Sequence, residues 1–203
     1  MPRNRPRQER SKQTVDVLLE STAQVLKQVG IRDTTTEKIA TRAGVSIGSL
    51  YQYFPNKVAL FEALMTQHLE QAMSNAMALA QQLVDAPANE FPRVLSEIML
   101  TTERKDPQLS SLLHQIASTN GSVAAIEIQF TRAFEMGMAT LLREKQGQPG
   151  FRTDMDPDIA GRILTRTLAG LARRTMEMDP SLMESETFAA EVQQLIRGYL
   201  LRP

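Results

Sequence analysis

The chain of 203 residues has no cysteine, which excludes a disulfide framework and any thiolate metal site. Histidine is scarce as well. His68 and His114 are the only two, and no H-E-x-x-H pair and no phosphate-cradling glycine loop accompanies them. Asp154, Asp156 and Asp158 alternate, but that loop lacks the glycine and the terminal glutamate spacing of an EF-hand. Favourable charge at a helix N-terminus, with Pro157 as first helical residue, explains them better. An enzyme is therefore not expected, and no catalytic residue, metal ligand or cofactor is assigned. No run of eighteen apolar residues and no signal-peptide pattern occurs, so a cytoplasmic protein without a membrane partner is expected. No stretch alternates apolar and polar residues as a half-buried strand would, and neither a repeat nor a low-complexity segment is found.

What is present is helical periodicity. Val15, Leu18, Leu19, Thr22, Ala23, Leu26 and Val29 recur at intervals of three and four and predict a helix over about 11–29, ended by Gly30. Thr34 with Glu37 resembles a capping box, with Thr35 as the alternative cap, in front of a helix over about 36–43. A third helix follows at about 46–54, with Ser46 as N-cap and Pro55 as its stop. Asn56 can cap the next. A long helix over about 57–84 carries a wide apolar stripe that includes Leu60, Leu64, Met65 and Leu69. Pro87 and Pro92 flank a short linker. Further helices fit about 91–104, 107–118, 121–146, 156–178 and 184–201. The fold class is all-α, with about nine helices.

Net charge is zero but unevenly spread. Residues 1–60 hold ten Lys/Arg against five Asp/Glu, and the rest holds 13 against 18, so +5 is joined to −5. Such asymmetry suggests that the first part meets a polyanion. Residues 1–10 have four arginines, two prolines and nothing to bury, and read as a basic flexible arm: either a solvated tail or an added phosphate or minor-groove contact.

Residues 36–57, TEKIATRAGVSIGSLYQYFPNK, carry the most information. Ile39 and Ala40 face inward on a short helix. Gly44 permits a tight turn, and Val45 and Leu50 close a small core. The spacing suits a helix-turn-helix whose second helix offers its N-terminal residues to a DNA major groove. The segment TTTEKIATRAGVSIGSLYQYFPNKVALFEAL, residues 34–64, with the helix before it, resembles the TetR family of transcriptional regulators. A-G-V-S, then G-S-L-Y-x-Y-F, then N-K is a specific combination. It covers about the first third of the chain; the remainder agrees only in length, helical content and order.

The resemblance implies a three-helix DNA-binding head over 11–56, and an effector-binding and dimerisation domain over 57–203. It implies a homodimer, with two heads on a palindromic double-stranded operator, and a small effector whose binding separates the heads. Repression is the expected sign of control. A regulator of the same fold without an effector, or an activator, is the alternative.

Ser46, Ile47, Gly48 and Ser49 open the recognition helix, where backbone N–H groups and the helix dipole favour phosphate. Ser49 matches the family's hydroxyl residue for a phosphate, and Gly48 lets a backbone approach closely. Ile47 is read as a contact to a thymine methyl, an ordinary exposed aliphatic being the alternative. Tyr51 matches a phosphate or base contact. Gln52 is the candidate base reader, because it can bond bidentately to adenine. Tyr53 and Lys57 match phosphate-binding positions, and Thr36 is placed to reach the other strand's backbone. Phe54 is assigned to the core, and Arg42 is either a phosphate contact or solvated.

Helices 156–178 and 184–201 are the expected homodimer interface. Their stripes carry Ile159, Ala160, Ile163, Leu164, Thr167, Leu168, Leu171 and Thr175, then Phe188, Val192, Leu195, Ile196 and Tyr199. Gly161, Ala169 and Gly170 would permit close helix approach; completion of a monomer core is the alternative reading. Ten methionines after residue 60 suit an adaptable apolar pocket. Met65, His68, Met99, Glu103, His114, Gln115, Phe130, Phe134 and Met138 are its candidate lining, with Arg132 a further polar candidate. The effector expected there is an apolar small molecule.

Overall fold

A computed structural model describes the backbone of residues 5–104 and 106–202, and the side chains of 11–98 and 106–202. It contains α1 (Arg5–Asp33), α2 (Thr36–Ala43), α3 (Ile47–Tyr53), α4 (Lys57–Asp85), α5 (Phe91–Arg104), α6 (Pro107–Thr119), α7 (Gly121–Lys145), α8 (Pro157–Met178) and α9 (Glu186–Leu200). A 3₁₀ turn, Pro180–Glu184, precedes α9. Among the described residues no strand forms, and one isolated bridge joins Phe151 to Leu201. The all-α class and the helix order follow the periodicity. The chain divides into two compact units: Met1–His68 with Gln108–Glu127, and Leu69–Pro107 with Ile128–Pro203.

The first unit is built on α1, which buries Leu18, Leu19, Thr22, Val25 and Leu26. The helix begins at Arg5 rather than near 11. The expected arm is therefore helical from Arg5 on, and residues 1–4 lie outside the described residues. Gly30 breaks α1 with φ 77°, as a helix-ending glycine should, and one further turn follows. Thr34 Oγ1 donates to the freed Gly30 carbonyl at 2.6 Å. Thr35, not Thr34, caps α2, accepting from the Lys38 N–H at 3.3 Å. Glu37 in that first turn has its carboxyl held below the usual carboxylate range, first by its own backbone N–H and then by Thr35.

Gly44 adopts φ 68° and lets α3 turn back across α2. The contact buries Ile39, Ala40 and Leu50, with Phe54 beneath them. Each large aliphatic removed from water there is worth about 1.5–3 kcal/mol, which fixes α3 although its seven residues would not be helical alone. Asn56 caps α4 by accepting from the Ala59 N–H at 2.9 Å. Leu60, Phe61, Leu64 and Met65 are buried as well, and Gln108 Nε2 donates to the Lys27 carbonyl at 3.2 Å. These contacts draw the first turns of α4, and α6, into the unit. It is larger than the 11–56 head read from the sequence, and its limit falls inside α4.

In the second unit α5 packs on both α8 and α9. Phe91, Leu95, Leu142, Phe151, Leu164 and Ile196 stand at the centre of its core. Phe91 meets Phe151 edge to face, with centroids 5.3 Å apart. Beside these rings lies Lys145, only 2% exposed, its Nζ 5.9 Å from each centroid. Its ammonium donates to the Val84 and Ala86 carbonyls, both at 2.7 Å, and to Gln148 Oε1 at 3.2 Å. Burial pushes its pKa down, with Asp85 and Glu144 opposing. The buried cation therefore closes the carboxyl end of α4.

Asp156 caps α8, accepting from the N–H groups of Asp158 and Ile159 at 2.8 and 3.1 Å, with Pro157 in the first turn. Gly161 lets α8 approach α7: a Cβ there would lie 2.9 Å from the Ala139 nitrogen and 3.0 Å from the Glu135 carbonyl oxygen. The close approach expected of Gly161 is thus made within one subunit. The stripes expected to pair across a two-fold axis divide in the same way. Ala160, Leu164, Leu168, Thr175, Val192 and Ile196 fill the unit's own core, whereas Ile159, Ile163, Thr167 and Leu195 face outward.

Candidate nucleic-acid interface

The first unit presents a row of polar and aromatic side chains on a small rigid core. Ser46 Oγ accepts from the Ser49 N–H at 3.0 Å and pairs with Ser49 Oγ at 2.8 Å. This fixes the first turn of α3 with its hydroxyls at the surface. Ile47, Tyr51, Gln52 and Tyr53 are exposed, and Ser49 is half-buried. An exposed Ile47 and two exposed tyrosines on a seven-residue helix are more apolar surface than water requires there. Gly48 is exposed, and a Cβ on it would meet only Ser46 Oγ, at 3.8 Å. Its backbone is helical and no neighbour needs the space, so nothing inside the protein demands glycine at this position.

Thr36 differs from the expectation of a free reaching side chain. It is 8% exposed, and its hydroxyl lies 3.1 Å from Tyr51 OH, linking the start of α2 to the middle of α3. The bond orients the Tyr51 ring. Lys57, at the start of α4, is half-buried and holds its ammonium 5.8 Å from the Phe61 ring centroid. Arg42 donates through Nε to Gln24 Oε1 at 2.7 Å and so braces α2 against α1. Lys38 Nζ donates to the Asp33 carbonyl at 2.8 Å. The sequence reading missed both braces, because they depend on which face of α1 meets α2.

The second unit contains an apolar cavity of about 360 Å³, open to solvent, between α4, α5 and α7. Met73, Met77, Leu95, Ile98, Phe134 and Met138 are among its lining. Of the nine residues expected around an effector, Phe134 and Met138 stand here. Phe130 is half-buried nearby in sequence but does not line it. Met65 and His68 belong to the first unit, where Met65 is core. His114 and Gln115 also belong to the first unit: His114 Nδ1 lies 3.0 Å from Glu127 Oε1, and Gln115 donates to Ser111 Oγ at 3.3 Å. The side chains of Met99 and Glu103 lie outside the described residues. Helical stripes alone did not separate these groups, since α4 and α7 each contribute residues to both units. Met73 and Met77 are found instead about two and three turns beyond Met65 on α4. Arg132 lines a separate open cleft of about 400 Å³ on α7 and α8, where Arg166 Nε donates to the buried Glu135 at 2.6 Å.

Comparison with known proteins matches this arrangement. Residues 18–64 fit the pattern of bacterial regulatory proteins of the tetR family, and residues 87–200, more than half of the chain, fit the tetracyclin repressor-like C-terminal domain. The chain belongs to the TetR family. This TetR-family protein is a DNA-binding regulator, and α2 and α3 are its helix-turn-helix. It is 27% identical over 182 residues to the nucleoid occlusion factor SlmA of Haemophilus influenzae, covering 89% of this chain and 81% of the relative. Its fold is similar to SmeT, the repressor of the Stenotrophomonas maltophilia multidrug efflux pump SmeDEF (TM-score 0.71, 20% identity, 93% of this chain and 90% of that one). It is also similar to the fatty acid degradation regulator FadR of Bacillus halodurans (TM-score 0.71, 20% identity, 90% and 93%). Among the described residues of this TetR-family chain, no helix is long and apolar enough to cross a membrane.

Proposed function

We propose that the protein is a homodimeric transcriptional repressor that grips a palindromic operator and is released by an apolar small molecule. The observation that carries this reading is the cavity on α4, α5 and α7, because α4 begins in the DNA-binding unit at Lys57 and continues into the cavity wall at Met73 and Met77. A ligand favouring one placement of α4 would change operator affinity, and the operator would change ligand affinity by the same factor. Likeness in fold to SmeT, described as a repressor, supports the sign of control.

In this reading Ser49, Tyr51, Tyr53 and Lys57 bind phosphate, with Thr36 orienting Tyr51. Ile47 meets a thymine methyl, Gly48 and Ser46 bring the helix start close, and Gln52 reads a base. Most of these contacts position the protein, and few specify sequence. The outward Ile159, Ile163 and Leu195 form the seam between two copies, a self-complementary patch across a two-fold axis.

Selection of bound DNA from a random pool tests the core of the proposal. Two inverted half-sites about one helical turn apart, roughly 34–36 Å, are expected; an asymmetric or unselected pool would defeat it. Releasing that DNA with apolar compounds then separates an effector-controlled repressor from a regulator of the same fold without an effector. Transcription from the selected site, with and without the protein, separates repressor from activator.

A further inference from the structure

The apolar cavity contains two polar side chains among its described lining residues, and both are acceptors. Thr140 spends its hydroxyl proton on the Met136 carbonyl at 3.0 Å, which leaves oxygen lone pairs facing outward. Glu144 is a carboxylate, exposed at the mouth. The backbone offers no donor either. Every lining residue sits inside α4, α5 or α7 beyond the first turn, where N–H groups are consumed by the helix itself. The ammonium of Lys145, next in sequence to Glu144, is spent on the Val84 and Ala86 carbonyls and Gln148. The remaining surface is methionine, aliphatic and one phenyl ring, soft and polarisable surface that tolerates positive charge.

We infer that the cavity takes a lipophilic cation: a protonated amine on an apolar body, its nitrogen at Glu144 and its body along Met73, Phe134 and Met138. This rests on the ligand-controlled reading proposed above and adds the charge of the ligand. The alternative amphiphile, a fatty carboxylate, would bring acceptors to acceptors. Among the described lining residues its head would find no free N–H or O–H, and it would face a like charge at Glu144, a mismatch that costs more than a missing contact. A neutral alcohol stands between, because its hydroxyl can donate to Glu144 without the charge term.

Calorimetric titration of the intact protein with decylammonium, decanol and decanoate, all below aggregation, isolates the head group on one chain length. One-to-one binding is expected in the order ammonium, alcohol, carboxylate. Glu144→Gln is expected to weaken decylammonium about fivefold, the scale of a partly exposed ion pair, and to leave decanol unchanged. Gly137 lines the cavity and a Cβ there meets nothing within 4 Å, so Gly137→Phe is directed at the cavity and is expected to abolish decylammonium binding with helicity retained. Decanoate binding as tightly as decylammonium, or Glu144→Gln leaving decylammonium unaffected, overturns the inference while the ligand pocket stands. Undiminished decylammonium binding in Gly137→Phe overturns its placement in the cavity. Failure of all three compounds to bind overturns the ligand-controlled reading and this inference together.

Discussion

The two units use polar side chains in opposite ways. In the first, Ser49, Tyr51, Gln52 and Lys57 stand at the surface, and the fold beneath them rests on Ile39, Leu50 and the α1 stripe. In the second, Lys145 and Glu135 are buried, and helix ends and helix crossings depend on them. The difference teaches that removing one of these surface groups from the head should alter binding and spare stability. Removing one from the second unit should do the reverse.

The strongest way to break that contrast is Lys145→Ala. It would leave the Val84 and Ala86 carbonyls without their donor and open space beside Phe91 and Phe151. We expect a loss of about 3 kcal/mol, the scale of an uncompensated buried polar site with a cavity, read as a fall in the denaturant midpoint. A change under about 1 kcal/mol would mean that water replaces the ammonium at no cost. Lys145 also sets a sign for pH. Its folded pKa lies below the unfolded one, so the unfolded chain binds more protons in the window between the two. Stability conferred by this group is expected to rise with pH through that window, and the slope should vanish in the alanine variant.

Gly161→Ala comes next. Its methyl would collide with backbone atoms of Ala139 and Glu135 rather than with a flexible side chain. Separating α8 from α7 is expected to cost about 1–3 kcal/mol, seen in thermal unfolding; an unchanged midpoint would show that the crossing is not tight in solution.

Gln52→Ala sharpens the contrast from the other side. Folding stability should not change, and discrimination at one base pair in each half-site should fall by about 1–3 kcal/mol, measured against a mutated operator series. Unaltered base preference removes Gln52 as a reader. Lys57→Ala should weaken every sequence alike and lower the salt slope by about one charge; an effect confined to one sequence would contradict a phosphate role. The smallest change is Gly48→Ala. Within a helix alanine is favoured over glycine by roughly 0.5–1 kcal/mol, so stability should hold or rise slightly while operator affinity falls. A variant that binds as well as the parent would show that no close approach occurs there.

How far the sequence could be read follows from the range of the interactions. Helix spans from 36 onward were legible, because apolar spacing, Pro157, Asn56 and the cap at Ser46 are all local. The turn at Gly44 was legible for the same reason. The start of α1 at Arg5 was not, since that segment has no apolar stripe to announce it. The cavity lining was legible only in part. Phe134 and Met138 were found, but Met73 and Met77 were not distinguished from Met65, since all three are methionines on one helix. What separates them is which unit each turn of α4 packs on, and that is decided by α6 and α5, far away in the chain. Lys145 gave no sign at all: a basic residue in the last turn of a helix reads as solvated until the carbonyls of α4 arrive beside it.

The hydroxyl pair at the start of α3 carries a consequence for fidelity. Ser46 and Ser49 stand 2.8 Å apart, and either can be the donor. Two protons serve one shared bond, so one O–H always remains to point outward, and which serine offers it can change by rotation of hydrogens alone. An arriving phosphate oxygen on either side of the pair would find a donor with no heavy atom displaced. If α3 meets DNA as proposed, the surface would tolerate small shifts in phosphate position, and on the proposed two-fold reading such tolerance would suit an imperfect palindrome.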